Sequence, residues 1–233
     1  MKRKVACFVL AFTAFCAFAG DAAVFEDIGF SQDGNTYIFG QYGKTDKKFQ
    51  AWAEIYTVDV AKNDFVKNEV YKTEPSEKTS EMSGKKAYED LKEKSLWKMA
   101  KYNAKPCDAS NLLYLRESEK KSPEEEIVFE SFEESTAEER VFYHIKLVPE
   151  FEGKGKNVKS KFYISVKKST DTGREIGSWK AGTPDFKRKG ISSYLIDKIY
   201  TTSDGKSLVF VVQKTLEDDT GTSIRFMVET LRF

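Results

Sequence analysis

Two Asp-Gly pairs near opposite ends of the chain constrain its fold more than any other feature. Asp33-Gly34 precedes the apolar segment 37–40, and Asp204-Gly205 precedes the apolar segment 208–212. An Asp-Gly pair suits a tight β-hairpin because glycine adopts positive φ and aspartate accepts hydrogen bonds from its own backbone. The repeat therefore predicts a β-rich protein with matching hairpins near both ends. It specifies no reaction and no ligand.

The first residues have the pattern of an export signal. Basic residues at positions 2–4 precede an apolar run at 5–18, and the small residues on either side of Phe18 fit the site that a signal peptidase cleaves. We therefore predict cleavage between Ala19 and Gly20. The run is shorter than the ~20 apolar residues of a membrane-spanning helix. Lipid attachment at Cys16 is an alternative.

The predicted organisation is a signal peptide at 1–19 and a single β-rich exported domain at 20–233, with no transmembrane segment in the mature chain. The sequence does not distinguish a periplasmic protein from one that is attached to the surface or released. Of the three cysteines, cleavage leaves only Cys107, so we predict no internal disulfide. We interpret Cys107 as a half-buried thiol.

The charge balance argues against a nucleic-acid-binding protein. The 38 Lys and Arg residues nearly equal the 37 Asp and Glu residues, for a formal net charge of +1, and loss of the three basic residues at 2–4 shifts it to −2. Nucleic-acid-binding proteins usually carry a basic surplus on one face. Charges of mixed sign are typical of the surface of a soluble protein.

Hydrophobic periodicity predicts one α-helix at about 85–103 and strands elsewhere. Apolar residues recur at helical spacing from Tyr88 to Tyr102, whereas alternation marks strands at 141–148 and 162–167. The unbroken apolar run 208–212 is typical of a central strand that is covered on both faces. We predict a mainly β fold with about nine to eleven strands: an antiparallel β-sandwich or partly closed barrel with propeller-blade-like hairpins and one α-helix.

Candidate catalytic and metal-binding residues are few. The single histidine, His144, falls on the strand face that it shares with Lys146, opposite the apolar set, and no nucleophile motif lies near it in sequence. One histidine and one mature cysteine cannot supply the usual zinc ligands, so we predict no metal site and no cofactor. Calcium binding stays open for three groups of acidic residues: Asp33, Asp204 and the pair Asp218-Asp219. The acidic runs 124–126 and 133–134 are interpreted as solvated turns.

The segment Gly182–Gly190 contains three adjacent cations, Lys187, Arg188 and Lys189, between a proline turn and a glycine. An exposed basic loop of this kind would meet an anionic headgroup, a glycan or an acidic partner. The alternative is a solvated turn whose lysines keep the strand ends soluble. These three residues are the surface candidates for ligand binding.

Several segments resemble a bacterial family of predicted secreted proteins of unknown function. They are Phe30-Ser31-x-Asp33-Gly34, the strand 53–60, Gly182-Thr183-Pro184, the block 203–212 and the block 224–230. The resemblance implies export and one domain, and it assigns no activity, cofactor or catalytic residue. The Ser-x-Asp-Gly hairpins are also similar to blades of periplasmic propeller proteins, which is a likeness of fold alone.

The most economical functional hypothesis is a non-enzymatic binding or interaction module of the cell envelope. Its expected partner is an envelope protein or polymer, met through strand edges or loops. A small-ligand carrier with a pocket between sheet and helix is the first alternative, and a carboxylate-based hydrolase of glycans is the second. The sequence does not fix the ligand, the strand order or the oligomeric state.

Overall fold

The computed structural model describes residues 21–117, 125–218 and 221–233. Within these residues the chain forms fourteen β-strands, one α-helix and three short 3-10 helices. The predicted signal peptide, with its cleavage site at Ala19 and Gly20, lies outside the described residues. No helix of the described part is both long and apolar enough to cross a membrane.

The elements follow one another in an order dominated by hairpins. The strands are β1 (Asp21–Ala22), β2 (Val24–Phe30), β3 (Thr36–Lys44), β4 (Ala51–Asp59), β5 (Asp64–Thr73), β6 (Leu112–Leu115), β7 (Ile127–Glu130), β8 (Val141–Glu152), β9 (Lys159–Thr170), β10 (Glu175–Ala181), β11 (Arg188–Lys189), β12 (Ile191–Thr201), β13 (Ser207–Asp218) and β14 (Gly221–Arg232). The helix α1 (Gly84–Met99) lies between β5 and β6.

The strands form three sheets. A central sheet has the order β1-β14-β13-β12-β6, a helix-covered sheet has the order β2-β3-β4-β5, and an outer sheet has the order β10-β9-β8-β7 with β11 also paired to β9. The pairing of β1 with β14 is parallel, and the other strand pairs are antiparallel hairpins or neighbours. The central sheet therefore joins residues from both ends of the described chain.

Strand β13 has a hydrophobic core on each of its faces. Leu208, Phe210 and Val212 pack with the outer sheet, while Val209 and Val211 pack with the helix-covered sheet. All five side chains are fully buried. Because successive side chains of a strand point to opposite faces, an uninterrupted apolar run is what a middle layer requires. The predicted doubly covered central strand is confirmed.

Helix α1 closes the stack on the far side of the helix-covered sheet. It begins after Ser83, whose hydroxyl accepts a hydrogen bond from the backbone N–H of Lys86 at 3.1 Å, as expected of an N-cap. Tyr88, Leu91 and Met99 then pack with apolar side chains of β3 and β4. A 3-10 turn, Ala100–Tyr102, extends the helix, so the prediction of one helix at 85–103 is confirmed.

The fold thus has four layers: helix, sheet, sheet and sheet. A mainly β fold with one helix is confirmed, and the third sheet goes beyond the two that a simple sandwich would have. The strand count exceeds the expected nine to eleven partly because β1 and β11 are only two residues long, which is too short for periodicity to reveal.

The two Asp-Gly turns have the same hydrogen bonds. The Asp33 carboxylate accepts from the Ser31 hydroxyl at 2.6 Å and from the Asn35 N–H at 3.1 Å. In the second turn the Asp204 carboxylate accepts from the Thr202 hydroxyl at 2.6 Å and from the Lys206 N–H at 3.1 Å. These bonds hold the pKa of both carboxyl groups below their ordinary values. The predicted matching hairpins are confirmed.

Candidate functional site

The basic loop of the sequence is not a uniformly exposed patch. The Arg188 side chain is only 12% exposed and pairs with Glu229 at 3.2 Å. Its guanidinium also donates to the Thr183 hydroxyl at 3.0 Å and lies between the rings of Phe162 and Phe186. The expectation that the Arg188 charge is exposed is therefore wrong, because Arg188 pairs with the buried carboxylate of Glu229, which is distant in sequence.

The two lysines on either side of Arg188 do lie at the surface. Lys187 pairs with Glu152 at 3.0 Å, and both side chains are more than half exposed. Exposed pairs of this kind contribute about 0–1 kcal/mol to stability. Lys189 is exposed as well. Of the three candidates, only these two have exposed side chains.

Strand β14 is an edge of the central sheet beyond its short pairing with β1, and side-chain amides cover that edge. The uninterrupted register with β13 turns the backbone N–H groups of residues 226, 228 and 230 outward. The Phe226 N–H donates to Oε1 of Gln41 at 2.8 Å, and the Thr230 N–H donates to Oδ1 of Asn63 at 2.7 Å. Amides of the helix-covered sheet thus take the place of a further strand.

Around this edge lies a group of charged residues that we name the edge cluster. Its members are Asp21, Glu54, Lys72, Arg188, Lys214, Arg225 and Glu229. They come from the helix-covered sheet, the central sheet and β11, and most are largely buried. Burying charges is costly unless each one is paired, so the pairing within the edge cluster decides what it can do.

The carboxylate of Glu54 has three side-chain partners, one of them a cation. Its carboxylate pairs with Lys72 at 2.8 Å and accepts from the Tyr56 hydroxyl at 2.6 Å and from Nε2 of Gln41 at 2.8 Å. Burial would raise the pKa of Glu54, but these hydrogen bonds outweigh it and hold the pKa below its ordinary value. Glu54 is therefore ionised and fully engaged.

Glu229 has two hydrogen-bonding partners, and its side chain is less exposed than that of Glu54. It accepts from Asn63 at 2.6 Å and from Arg188 at 3.2 Å. Its residue is only 3% exposed, and burial raises the pKa of its carboxyl despite both partners. The contacts tie the β4–β5 turn, β14 and β11 together at one point.

Arg225 is the third paired cation. Its guanidinium forms an ion pair with the Asp21 carboxylate and stacks on the Trp52 ring at 4.0 Å from the centroid. The Trp52 indole N–H also donates towards Asp21 at 3.3 Å. Arg225 is thus fixed by one carboxylate and one aromatic face.

Lys214 is the one cation of the edge cluster that forms no ion pair with a carboxylate among the described residues. The register places it between Tyr194 of β12 and Arg225 of β14 on the face turned towards the outer sheet. Among the residues that the structure describes, its ammonium forms neither a hydrogen bond nor an ion pair. Burial, against the opposing effect of Glu54, and the charges of Arg188, Arg225 and Lys72 together lower the pKa of Lys214 to about 8. The edge cluster therefore carries one unmatched positive charge.

The histidine lies on the outer face of the outer sheet, as predicted. Its Nε2 is 3.0 Å from the Ser169 hydroxyl and its Nδ1 is 3.4 Å from the Glu126 carboxylate. The order of contacts is that of a serine-histidine-carboxylate triad. However, Ser169 is in β9, which is paired on both sides by β8 and β10. Apart from the bulge at residues 175–177, the nearby backbone N–H groups are therefore used in the sheet and are not available as an oxyanion hole.

The remaining sequence candidates are occupied by structural contacts. Asp33 and Asp204 bind donors of their own turns, as described above. Cys107 is half-buried, as predicted, and burial together with the nearby Asp27 carboxylate raises the pKa of its thiol. In the run 133–134, Glu134 pairs with Lys168. Among the described residues, no three His, Cys, Asp or Glu side chains are grouped as around a metal ion.

Two acidic candidates fall outside what the structure describes. Asp219 and Glu124 belong to the segments 219–220 and 118–124, and the side chain of Asp218 also lies outside the described part. Calcium binding by Asp218-Asp219 therefore stays a prediction.

Comparison with known proteins identifies the family. Residues 38–232 match the family described as predicted secreted protein (DUF2259). The chain belongs to this family. No curated protein and no solved structure matches it. The family description supports export, in agreement with the predicted signal peptide, and names no activity.

The edge cluster was not predicted from the sequence, although one signal for it was present. The side chains of Leu208, Phe210 and Val212 share a face of β13, and the same alternation continues to Lys214. A lysine in phase with a core face is unusual, since lysines are almost never buried without a partner. Its neighbours Arg188 and Glu54 come from other sheets, and no local pattern connects them.

Proposed function

We propose that this secreted protein is a non-enzymatic binding protein that captures a small anionic ligand at Lys214. The observation that carries the proposal is the unmatched charge: Arg188, Arg225 and Lys72 each have a carboxylate, whereas Lys214 has none among the described residues. A desolvated ammonium without a counter-ion is unfavourable. A ligand carboxylate or phosphate group would supply the missing charge.

The surroundings of Lys214 favour an anion further. Arg225 is the cross-strand neighbour of Lys214 on β14, and the positive charges of Arg188 and Arg225 lower the pKa of Lys214, so an anion beside Lys214 would also be attracted by these two guanidinium groups. Arginine side chains are well suited to carboxylate and phosphate groups because their N–H donors form a planar fork. The hydroxyl of Tyr194 is held at 2.7 Å from Ser160 and borders the same row of side chains.

A small ligand suits this site better than a protein strand. Strand addition needs a free row of backbone N–H and C=O groups, and on β14 the amides of Gln41 and Asn63 already occupy two of the outward N–H groups. The loop lysines Lys187 and Lys189 remain the alternative contact surface for an acidic envelope partner. That alternative makes no use of Lys214.

A carboxylate-based hydrolase has less support. Glycoside hydrolysis needs two carboxyl groups that are free to act on the substrate. The edge cluster has three acids, Asp21, Glu54 and Glu229, and each is bound by a cation and by a further donor. The pKa values of Glu54 and Glu229 are shifted in opposite directions, but all three carboxylates are engaged within the protein.

The test is calorimetric titration of the mature protein with inorganic phosphate and with citrate at pH 7, for the wild type and Lys214→Met. We expect binding by the wild type and at least tenfold weaker binding by Lys214→Met. Binding should also weaken above about pH 8, where Lys214 loses its proton. The charged groups that face it are Glu54, Lys72, Arg188 and Arg225, together with Tyr194.

A double variant, Lys187→Met with Lys189→Met, is the matched control because it removes two cations from the surface. It should bind both anions as the wild type does. Equal binding by Lys214→Met and the wild type would refute the assignment. Loss of binding in the double variant alone would move the site to the basic loop.

A further inference from the structure

The outward face of helix α1 exposes two large apolar side chains that are neighbours in the chain. Leu96 is 56% exposed and Trp97 is 74% exposed. The buried row of the helix runs through Leu91, Ser95 and Met99. At 3.6 residues per turn, Trp97 lies nearly opposite this row. The apolar pair Leu96-Trp97 therefore contributes to the surface and not to the core.

Trp97 differs in exposure from the other two tryptophans. Trp52 is 4% exposed, and Trp179 packs against the core between the outer and central sheets. Tryptophan is highly buried on average, and an exposed apolar patch rimmed by charged groups is typical of a surface that contacts another protein or a membrane. The rim of the apolar pair decides which of these partners it fits.

Lysines surround the apolar pair. Residues 92–101 contain four lysines and one glutamate, whereas residues 85–90 contain two residues of each sign. The four lysines are exposed: Lys92, Lys94, Lys98 and Lys101. Lys101 pairs with Glu69, but the other three form no ion pair among the described residues. The second half of α1 therefore carries a positive charge that the protein does not balance locally.

This combination of groups fits an anionic lipid bilayer. The helix dipole favours cations near the end of a helix, but it does not account for the apolar pair between them. Tryptophan and leucine beside lysines on one helix face are typical of helices that lie at the level of the lipid headgroups. Lysine side chains also extend their ammonium groups to phosphate while their methylene groups cover apolar surface.

Other occupants match these groups less well. A small anion would make no use of Leu96 and Trp97. A second copy of this chain would bring two basic faces together, which repel each other, and the first half of α1 offers no acidic surplus to pair with them.

We propose that the second half of α1 is a contact surface for an anionic lipid bilayer, with Leu96 and Trp97 inserted at the level of the headgroups. The unpaired lysines face the lipid phosphate groups. The helix lies on the bilayer without crossing it, because its other face is buried on β3 and β4. Glu93, one turn before the apolar pair, opposes the attraction. The helix-covered sheet separates this surface from Lys214, so the inference does not depend on the anion site.

The test is cosedimentation of the mature protein with vesicles of phosphatidylcholine alone and of phosphatidylcholine and phosphatidylglycerol in equal parts. We expect binding to the anionic vesicles and not to the neutral ones. Tryptophan emission should shift to the blue on binding, because Trp97 leaves water. About 1 M salt should weaken binding, since the Debye length is then only ~3 Å.

Three changes on the helix test the role of each group. Trp97→Ala should bind at least about tenfold more weakly, because it removes the largest apolar side chain of the surface. Lys94→Gln with Lys98→Gln should bind about 25-fold more weakly, since each lysine near an anionic surface contributes about fivefold. Glu93→Gln should bind more tightly than the wild type. All four positions are exposed, and thermal unfolding checks that the variants keep their fold.

Two variants are matched controls. Phe132→Ala removes an aromatic ring that is 81% exposed in another loop, and Lys187→Met with Lys189→Met removes two other surface cations. Both should bind vesicles as the wild type does, and so should Lys214→Met. Absence of binding to anionic vesicles, equal binding by Trp97→Ala, or loss in the Lys187-Lys189 variant alone would overturn the inference. A dimer that forms without vesicles and depends on Trp97 would also overturn it, by assigning the face to a second copy.

Discussion

Gly34 of the first Asp-Gly turn lies directly against Thr202, which begins the second turn. A Cβ atom added to Gly34 would lie 3.2 Å from Cγ2 of Thr202, and Thr202 is only 3% exposed. The two turns that the sequence repeats are therefore neighbours in space. They join the helix-covered sheet to the central sheet at one end of the stack.

Gly34→Ala should destabilise the protein by roughly 1–2 kcal/mol, because alanine is strained at positive φ and its methyl group would press on Thr202. Gly173→Ala is the control, since Gly173 also has positive φ but has nothing within 4 Å of an added Cβ. Urea denaturation should show the larger loss for Gly34→Ala. In a Thr202→Ser background, which keeps the hydroxyl, the two losses should become equal. A difference that persists there would mean that Thr202 is not the cause.

Arg188→Met should cost roughly 3–5 kcal/mol at pH 7, because it leaves Glu229 charged and buried without its cation. The loss should shrink as the pH falls towards 5. The pKa of Glu229 is already raised by burial, and without Arg188 it rises further, so the carboxyl takes up a proton and the unpaired charge disappears. Chemical denaturation at several pH values measures this.

The double variant Arg188→Met with Glu229→Gln tests the reason for that loss. It removes both charges, so most of the lost stability should return at pH 7. If the double variant is as unstable as Arg188→Met, the stacking of Arg188 on Phe162 and Phe186 matters more than the ion pair.

Lys214→Met should stabilise the unliganded protein at pH 7 by on the order of 1–3 kcal/mol. The folded-state pKa of Lys214 is lowered to about 8 from 10.5. Between these values the unfolded chain binds the proton more tightly, so the wild type gains stability as the pH rises from 8 to 10. Lys214→Met should lack this rise, and thermal unfolding of both proteins across that range shows it. If the stability of both proteins changes with pH in the same way, the pKa of Lys214 is not lowered by folding, and its ammonium is solvated.

Ser169 should not react with a fluorophosphonate probe, although His144 and Glu126 are arranged as in a hydrolase. Its hydroxyl lies on a sheet whose backbone N–H groups are paired outside the bulge at residues 175–177, so a pair of donors for the developing oxyanion is lacking there. Intact-mass analysis after incubation with the probe measures the outcome. Modification that depends on His144 would identify an active site and contradict a non-enzymatic role.

Parts of the fold follow from short-range patterns, which explains why they were predictable. The stripe from Tyr88 to Met99 specifies the helix, and the run 208–212 specifies the middle layer. The hairpin turns follow from Asp-Gly pairs. The assignment of hairpins to three sheets depends on pairings between distant strands, such as β6 with β12. Single-sequence periodicity contains no information on such pairings.

The candidate sites were hidden for a related reason. Arg188 reads as a surface charge because its partner Glu229 is 41 positions away. The sequence shows which residues are charged, but their pairing and burial arise only when the sheets assemble.

The parallel pairing of β1 with β14 has a consequence for the order in which the chain can fold. Asp21 and Arg225 are 204 positions apart, and β13 supplies the shared wall of both main cores. In a chain that emerges from a ribosome or an export channel with its N-terminus first, the faces that the two neighbouring sheets turn towards β13 stay uncovered until β13 and β14 have followed. Stable tertiary structure must then wait for nearly the whole polypeptide. Such a delay would leave the chain unfolded while it is threaded across a membrane.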